Sequence, residues 1–331
     1  MSTQSRRTIL FVATGGTIAS IPDEHSDGAI PTLTAHDLLA SVPRLRDHAE
    51  IECVQHAQKP SVELDLPDMV ALIDICRDAV DGGAAGVVIA QGTDTIEETS
   101  YALDLLWDRP EPVVVTGAMR IPSLPGSDGP ANLLASVQVA ASDDARGRGV
   151  LVVLNDEVHA ARDVVKTHTS SVSAFRSWRT GPLGFVREGE PRFSSPAIRP
   201  RPLTGELGEI PPVALIVAAL GDRMPYLADL PETGYRGIVL EAFGGGHVRS
   251  EMVPILSALA RNLPVVLTSR AGAGAALTRT YAFAGSEMEL LRAGLIPGGS
   301  LHPLKSRVLL ILLIATGIEL DSIRAEFQAR G

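Results

Sequence analysis

The chain has 331 residues, too many for one comfortable hydrophobic core, so two domains are expected. Apolar residues make up 45% and charged residues 21%, the balance of a soluble globular protein. A net charge of −10 with no Lys/Arg cluster excludes a nucleic-acid surface. The longest apolar run, residues 308–315, falls far short of the ~20 needed to span a bilayer.

Residues 1–7 are polar, and the apolar run that follows is six residues long before glycines interrupt it. A secretory segment needs about 7–15 apolar residues and a cleavage site, so the cytoplasm is the expected compartment. Cys53 and Cys76, on an expected strand and helix, read as buried reduced thiols. No Cys/His spacing resembles a zinc site, and neither a metal nor another cofactor is expected.

Residues 8–13 read as a buried strand that runs into Thr14-Gly15-Gly16-Thr17. Paired glycines let backbone N–H groups approach a ligand, and the flanking threonines put hydroxyls at the carboxyl end of the strand, where open α/β sheets bind ligands. This is neither a dinucleotide fingerprint nor a Walker loop. Residues 21–33 form a loop long enough to cover a pocket. A capped helix over 34–42, a strand over 51–55, a polar turn over 59–65 and a helix over 67–80 follow. The second strand, residues 87–90, empties into Gln91-Gly92-Thr93-Asp94-Thr95, echoing the first with a carboxylate added.

A helix over 97–107, a strand over 112–116, a helix over 131–141 and a strand over 150–154 complete the pattern. Strands alternating with helices at this spacing predict an α/β domain with a mostly parallel sheet over residues 1–190. Residues 187–212 hold six prolines and no sustained periodicity, and 191–212 reads as a linker. A smaller α/β domain with a parallel sheet is predicted over 213–331. Its strands fall at 213–219, 237–243 and 264–269, and its helices at 251–261, 287–292 and 302–315.

Of the 29 basic residues only Lys59, Lys166 and Lys305 are lysines. Lysine, unlike arginine, can lose its proton when buried, which makes each worth weighing as a proton carrier.

Five segments in order are similar to the bacterial-type L-asparaginases. They are residues 13–19, residues 91–99, Thr116-Gly117-Ala118-Met119-Arg120, residues 128–133 and Arg162-Asp163-Val164-Val165-Lys166-Thr167. The resemblance runs from about residue 8 to 184 and continues more weakly through the second domain. It implies hydrolysis of asparagine to aspartate and ammonia in asparagine catabolism. Thr17 would be the nucleophile that forms an acyl-enzyme, and Thr93, Asp94 and Lys166 the proton-handling group. Ser61 would hold the substrate α-carboxylate with Gly92 and Thr93. Asp94 and Glu63 would face the α-ammonium, and N–H groups near Gly16 and Thr93 would stabilise the oxyanion. The resemblance also implies tight dimers, usually paired into tetramers.

Three departures stand out. Ser61 is followed by Val62 and Glu63 instead of a polar residue and an aspartate. The loop over 21–33 lacks the tyrosine common in the family, Gly28 falling near its place. Tyr281, in the loop that in the family reaches a neighbouring subunit's site, is the candidate replacement, with core packing as the other reading. In Gly244-Gly245-Gly246-His247, His247 stands where relatives often have asparagine, and either reaches the site or caps a turn. The alternatives are a broader glutaminase-asparaginase, a non-catalytic amino-acid sensor and a nucleotide-binding protein. The intact set Thr17, Thr93, Asp94 and Lys166 counts against the sensor; the missing Gly-x-Gly-x-x-Gly counts against the nucleotide.

Overall fold

The computed structural model describes residues 6–23, 27–196 and 199–331. Part of the predicted loop (24–26) and part of the predicted linker (197–198) lie outside the described residues. The chain divides into two compact units between Pro202 and Leu203.

In the first unit the strands are β1 (Thr8–Ala13), β2 (Ser20–Pro22), β3 (Ala29–Pro31), β4 (Glu50–Gln55), β5 (Gly86–Ala90), β6 (Val113–Thr116), β7 (Val150–Leu154), β8 (Glu157–Ala160), β9 (Val165–Lys166), β10 (Phe175–Arg176), β11 (Gly184–Arg187) and β12 (Glu190–Phe193). The helices are α1 (Ala35–Ala40), α2 (Leu66–Asp81), α3 (Ile96–Leu106) and α4 (Gly129–Ala140). Capping boxes start α1, where Thr34 and Asp37 satisfy each other's backbone N–H, and α2, where Asp65 and Asp68 do the same.

Eight strands form one sheet in the order β12-β11-β8-β7-β6-β5-β1-β4. The five from β4 to β7 are parallel; β8, β11 and β12 extend them antiparallel. The inner parallel strands β1, β5, β6 and β7 are buried and almost wholly apolar because both faces are covered, whereas the edge strand β4 carries Glu50, Glu52 and Gln55. Ile9, Phe11 and Ala13 enter a core with Leu38, Leu133 and Val137 from α1 and α4. Alternate residues such as Leu10 and Val12, equally buried, face the other way. On the β1 side the chain first adds β4, then returns to add β5 on the opposite flank. The order therefore reverses at β1, the kind of switch point where open α/β sheets bind ligands.

Strands β8 to β11 were not predicted, and two further regions of this unit differ from the sequence reading. The loop over 21–33 contains a short hairpin, β2 with β3. The first residues of the predicted linker form the edge strand β12, turned back from β11 through Glu188 and Gly189 at positive φ. Pro191 is tolerated there because an edge strand leaves one side of its backbone unpaired.

The second unit holds a four-stranded parallel sheet, β13 (Val213–Val217), β14 (Gly237–Ala242), β15 (Val265–Ser269) and β16 (Ile296–Pro297), in sequential order. Its helices are α5 (Val253–Ala260), α6 (Glu287–Arg292), α7 (Pro303–Ala315) and α8 (Leu320–Arg330). The core combines Ile238, Leu240, Val265 and Leu267 with Leu256, Leu259 and Leu290. Strand β16 and helix α8 were not predicted; α8 is mostly polar, burying only Ile323, Phe327 and Arg330.

Candidate active site

Three loops leave the carboxyl ends of β4, β1 and β5, side by side at the switch point. The loop after β1 carries Gly15 and Gly16, with φ of 104° and 82°. Gly16 also lies so close to the loop after β5 that a Cβ would overlap the backbone N and Cα of Gly92. Gly92 in turn backs onto the loop after β4, where a Cβ would sit 2.8 Å from Ser61 Oγ. The glycines of both strand–Gly-Thr motifs thus serve close backbone contact, and they stack the three loops into one layer.

This packing separates the threonines by role. Thr14 is fully buried; its N–H and hydroxyl both donate to Ala90 O, at 3.0 and 3.3 Å, tying β1 to β5. Thr17 is half-buried and opens a 3₁₀ turn, Thr17–Ala19, steadied by Ser20 Oγ donating to Gly16 O at 2.8 Å. Of the first motif's two hydroxyls, that of Thr17 is the one left accessible.

The second motif forms the 3₁₀ turn Thr93–Thr95 at the head of α3. Thr95 Oγ1 donates to Ser61 O at 3.2 Å, joining this turn to the Ser61–Glu63 turn. Below it the buried Gln91 accepts from Thr99 Oγ1 at 3.0 Å. Lys166 arrives from β9, 73 residues away along the chain from Thr93. Its Nζ donates to Thr93 Oγ1 at 2.9 Å and to Asp94 Oδ1 at 2.6 Å. The Lys166 side chain is 15% exposed, that of Asp94 64%. The lysine is therefore sequestered while its carboxylate partner opens outward.

Ser61 is 3% exposed, and its Oγ has no hydrogen-bond partner among the described residues. A buried hydroxyl without a partner is costly unless a ligand supplies one. Glu63 and Val62 in the same turn are exposed. Behind the site, Asp128 accepts from Met119 N and Arg120 N, and Asn132 Nδ2 donates to Gly117 O at 2.9 Å. Those two family-like segments act here as scaffolding for the loop after β6.

Thr17, Gly16, Ser61, Glu63, Gly92, Thr93, Asp94 and Lys166 thus lie in the first unit, on loops and turns at one end of its sheet or, for Lys166, bonded to them. His247 and Tyr281 lie in the second unit. The backbone of His247 closes the Gly244–Gly246 turn through paired bonds with Phe243, both 2.9 Å. Its ring stands edge-on to Tyr281 at 5.0 Å and Phe283 at 4.9 Å. His247 Nε2 is 3.2 Å from Glu287 Oε2, off the line of a hydrogen bond. Glu287, fully buried, accepts from Thr280 N and Tyr281 N at 2.8 and 2.7 Å. Burial alone would raise its pKa; the backbone donors and His247 outweigh it and the net shift is downward. Sequence reasoning assigned Glu287 only to a helix start; a charged residue so placed is the sole signal it offered.

Lys59, left without a role, pairs with Asp68 at 2.9 Å. Lys305 is fully buried on α7. Cys53 and Cys76 are free thiols on β4 and α2, and burial pushes the Cys76 thiol up to about 12. No described helix is long and apolar enough to cross a membrane.

The sequence matches the family described as "Asparaginase, N-terminal" over residues 8–199 and that described as "Glutaminase/Asparaginase C-terminal domain" over residues 212–327. It is 35% identical to L-asparaginase 2 of Escherichia coli, covering 97% of this chain and 92% of that one. It is 34% identical to a probable periplasmic L-asparaginase of Haemophilus influenzae, with the same two coverages of 97% and 92%. The crystal structure of a probable cytoplasmic L-asparaginase from Campylobacter jejuni superposes with a TM-score of 0.89 at 31% identity, covering 98% of this chain and all of that one.

Proposed function

Because the chain belongs to the bacterial-type L-asparaginases, amidohydrolases that cleave asparagine to aspartate and ammonia, we propose that Thr17 is its nucleophile and that Thr93, Asp94 and Lys166 move the protons. The observation that carries this reading is Lys166 Nζ bonded at once to Thr93 and Asp94, in a loop layer that packs directly on Gly16.

Thr17 Oγ attacks the side-chain amide carbon, and its proton leaves for the site's base. Threonine is a weak nucleophile and needs that base. As the tetrahedral intermediate collapses the C–N bond breaks, the nitrogen takes up a proton and ammonia departs, leaving an ester on Thr17. Water then attacks the ester, Thr17 regains its proton and aspartate leaves. Lys166 donates to Thr93 Oγ1, so the Thr93 hydroxyl hydrogen is free to point at a substrate atom or water. When Lys166 has lost a proton it accepts that hydrogen instead, and the pair becomes a relay. Backbone N–H groups near Gly16 and Thr93 face the oxyanion, and removing one such donor typically costs about 3–4 kcal/mol.

Ser61, Gly92 and Thr93 hold the α-carboxylate, supported by the unpartnered buried Ser61 hydroxyl. Asp94 and Glu63 face the α-ammonium, supported by their exposure beside that serine. We assign Tyr281 and His247 to a neighbouring protomer's site in a homodimer or homotetramer, Tyr281 supplying the phenol that the loop over 21–33 lacks. The exposed aromatic rings of Tyr281 and Phe283, 44% and 50% accessible, support a contact there. The cytoplasmic placement is supported by the likeness to the probable cytoplasmic Campylobacter enzyme and by the free thiols, with the Haemophilus relative as the counter-example that cell fractionation resolves.

A broader glutaminase-asparaginase is the second reading. It is favoured by the exposed Val62 and Glu63 turn, since one methylene of substrate changes binding by only ~1–3 kcal/mol. Ammonia release from asparagine and from glutamine, wild type beside Thr17→Ala, tests both. Thr17→Ala with wild-type turnover removes the nucleophile assignment. Tyr281→Phe with full turnover removes the phenol, and flat affinity between about pH 5.5 and 8 removes His247 from the site.

A further inference from the structure

Lys166 stands outside the large sheet. It sits on β9, a two-residue strand whose ladder partner is β10, with Phe175 opposite Lys166 and Arg176 opposite Val165. Thr167 N donates to Ala174 O at 2.7 Å and closes the pairing. A hairpin this short has little stability of its own, so whatever grips its base decides where Lys166 Nζ lies.

The grip comes from β8, which is paired on both sides within the large sheet. Directly after Phe175, Arg176 Nη1 donates to Glu157 Oε1 at 3.1 Å. Next in sequence, Ser177 Oγ lies 3.0 Å from His159 Nδ1. His159 Nε2 lies 3.2 Å from Glu157 Oε2. The His159–Glu157 approach is an ion-pair distance, and the hydrogen bond that ties the ring to the hairpin is the one shared by Nδ1 and the Ser177 hydroxyl, its direction set by the ring's tautomer. His159 is 1% exposed and Ser177 6%. Desolvation, with Arg176 adding to it, pushes the His159 pKa down to about 4, so the ring stays neutral with one donor and one acceptor. A second tie, Arg179 Nε to Asp163 Oδ1 at 2.9 Å, spans the same hairpin independently.

We propose that His159 is a positioning residue for Lys166: by holding Ser177 from within the sheet it locks the β9–β10 hairpin in place and sets Nζ within reach of Thr93 and Asp94. Its effect on catalysis rests on the reading of Lys166 as the proton carrier. Because Arg179–Asp163 remains, loss of His159 loosens the hairpin without releasing it.

The test compares kcat and KM for asparagine in wild type, His159→Leu, His159→Asn, Ser177→Ala and Lys166→Met, well below each variant's melting temperature. Amide exchange at Thr167 is followed in parallel. Misplacement by about 1 Å costs up to about 100-fold in rate. His159→Leu is therefore expected to lower kcat about 10- to 100-fold while KM moves much less, with faster exchange at Thr167. His159→Asn, whose amide can hydrogen-bond Ser177 from near the position of Nδ1, recovers part of both, and Ser177→Ala falls between. Wild-type kcat in His159→Leu and Ser177→Ala, beside an inactive Lys166→Met, overturns the inference. If Lys166→Met itself turns over normally, the reading of Lys166 fails. Thr167 exchange then decides the anchor alone: unchanged protection in His159→Leu overturns it and faster exchange upholds it.

Discussion

The loops after β1 and β5 share a pattern, an apolar strand emptying into Gly-Thr, but different physics requires the glycine in each. Gly16 has φ of 82° and ψ of −171°, a region that side chains do not enter, and its missing Cβ is also space occupied by the Gly92 backbone. Gly92 has φ of −66°, open to any residue, and it is Ser61 that lies in the way, its Oγ and Cβ nearest and its backbone N just behind. The same letter is thus doubly constrained in one loop and singly in the other. The threonines diverge too: Thr17 is left accessible, whereas Thr93 is 4% exposed and bonded to Lys166.

Gly16→Ala breaks the comparison hardest. Backbone overlap and a forbidden φ act together, so a loss above about 4 kcal/mol is expected, read by chemical denaturation alongside the disappearance of ammonia release. Lys166→Met leaves the fold and removes the proposed proton carrier: kcat should drop about 100- to 10,000-fold. Lys166→Arg should rescue poorly, because a guanidinium stays charged; pre-steady-state ammonia release separates the two variants.

Gly92→Ala should cost only about 1–2 kcal/mol, since Ser61 can yield. Adding Ser61→Gly removes the two nearest contacts but not the backbone N, so it should return part of that stability in a double-mutant cycle while KM stays raised. Additive, unrelieved losses would show that Gly92 is held by its backbone after all.

A pH-dependent effect compares the two units. Each holds a histidine kept neutral by burial, His159 in the first and His302 in the second, where Lys305 adds to the desolvation; both pKa values fall to about 4. Unfolded, each titrates near 6.5. Between those values the unfolded chain binds more protons. Stability should therefore decline as pH falls from about 6.5 toward 4 and stay level above that window. Melting temperatures across that range check it, and His159→Asn should flatten the first unit's share.

The parallel core was legible because strands covered on both faces must be continuously apolar, and residues 8–13, 87–90 and 150–154 spell that out. The antiparallel extension was not. Glu157–Ala160 and Glu190–Phe193 are short, half polar and, in β12, interrupted by Pro191; they become strands because a sheet edge offers them partners. Helix α8 escaped for a related reason, a narrow buried stripe within a charged surface. Among the proposed site residues, Thr17, Ser61, Thr93, Asp94 and Lys166 could be named because the segments that carry them resemble a known family. Glu287 and His159 could not, because a lone acid at a helix start and a lone histidine in a short strand look like many others.

What the sequence determined by itself was chemical identity and local form: hydroxyls and a carboxylate at strand ends, glycines where backbone must be bare, and three lysines amid many arginines. Only the tertiary structure decided adjacency. Lys166 meets Thr93 across 73 residues because the large sheet anchors both the turn after β5 and, through β8, the hairpin that carries the lysine. Such contacts depend on which surfaces bury one another, and a linear string of residues leaves that open until the sheet is assembled.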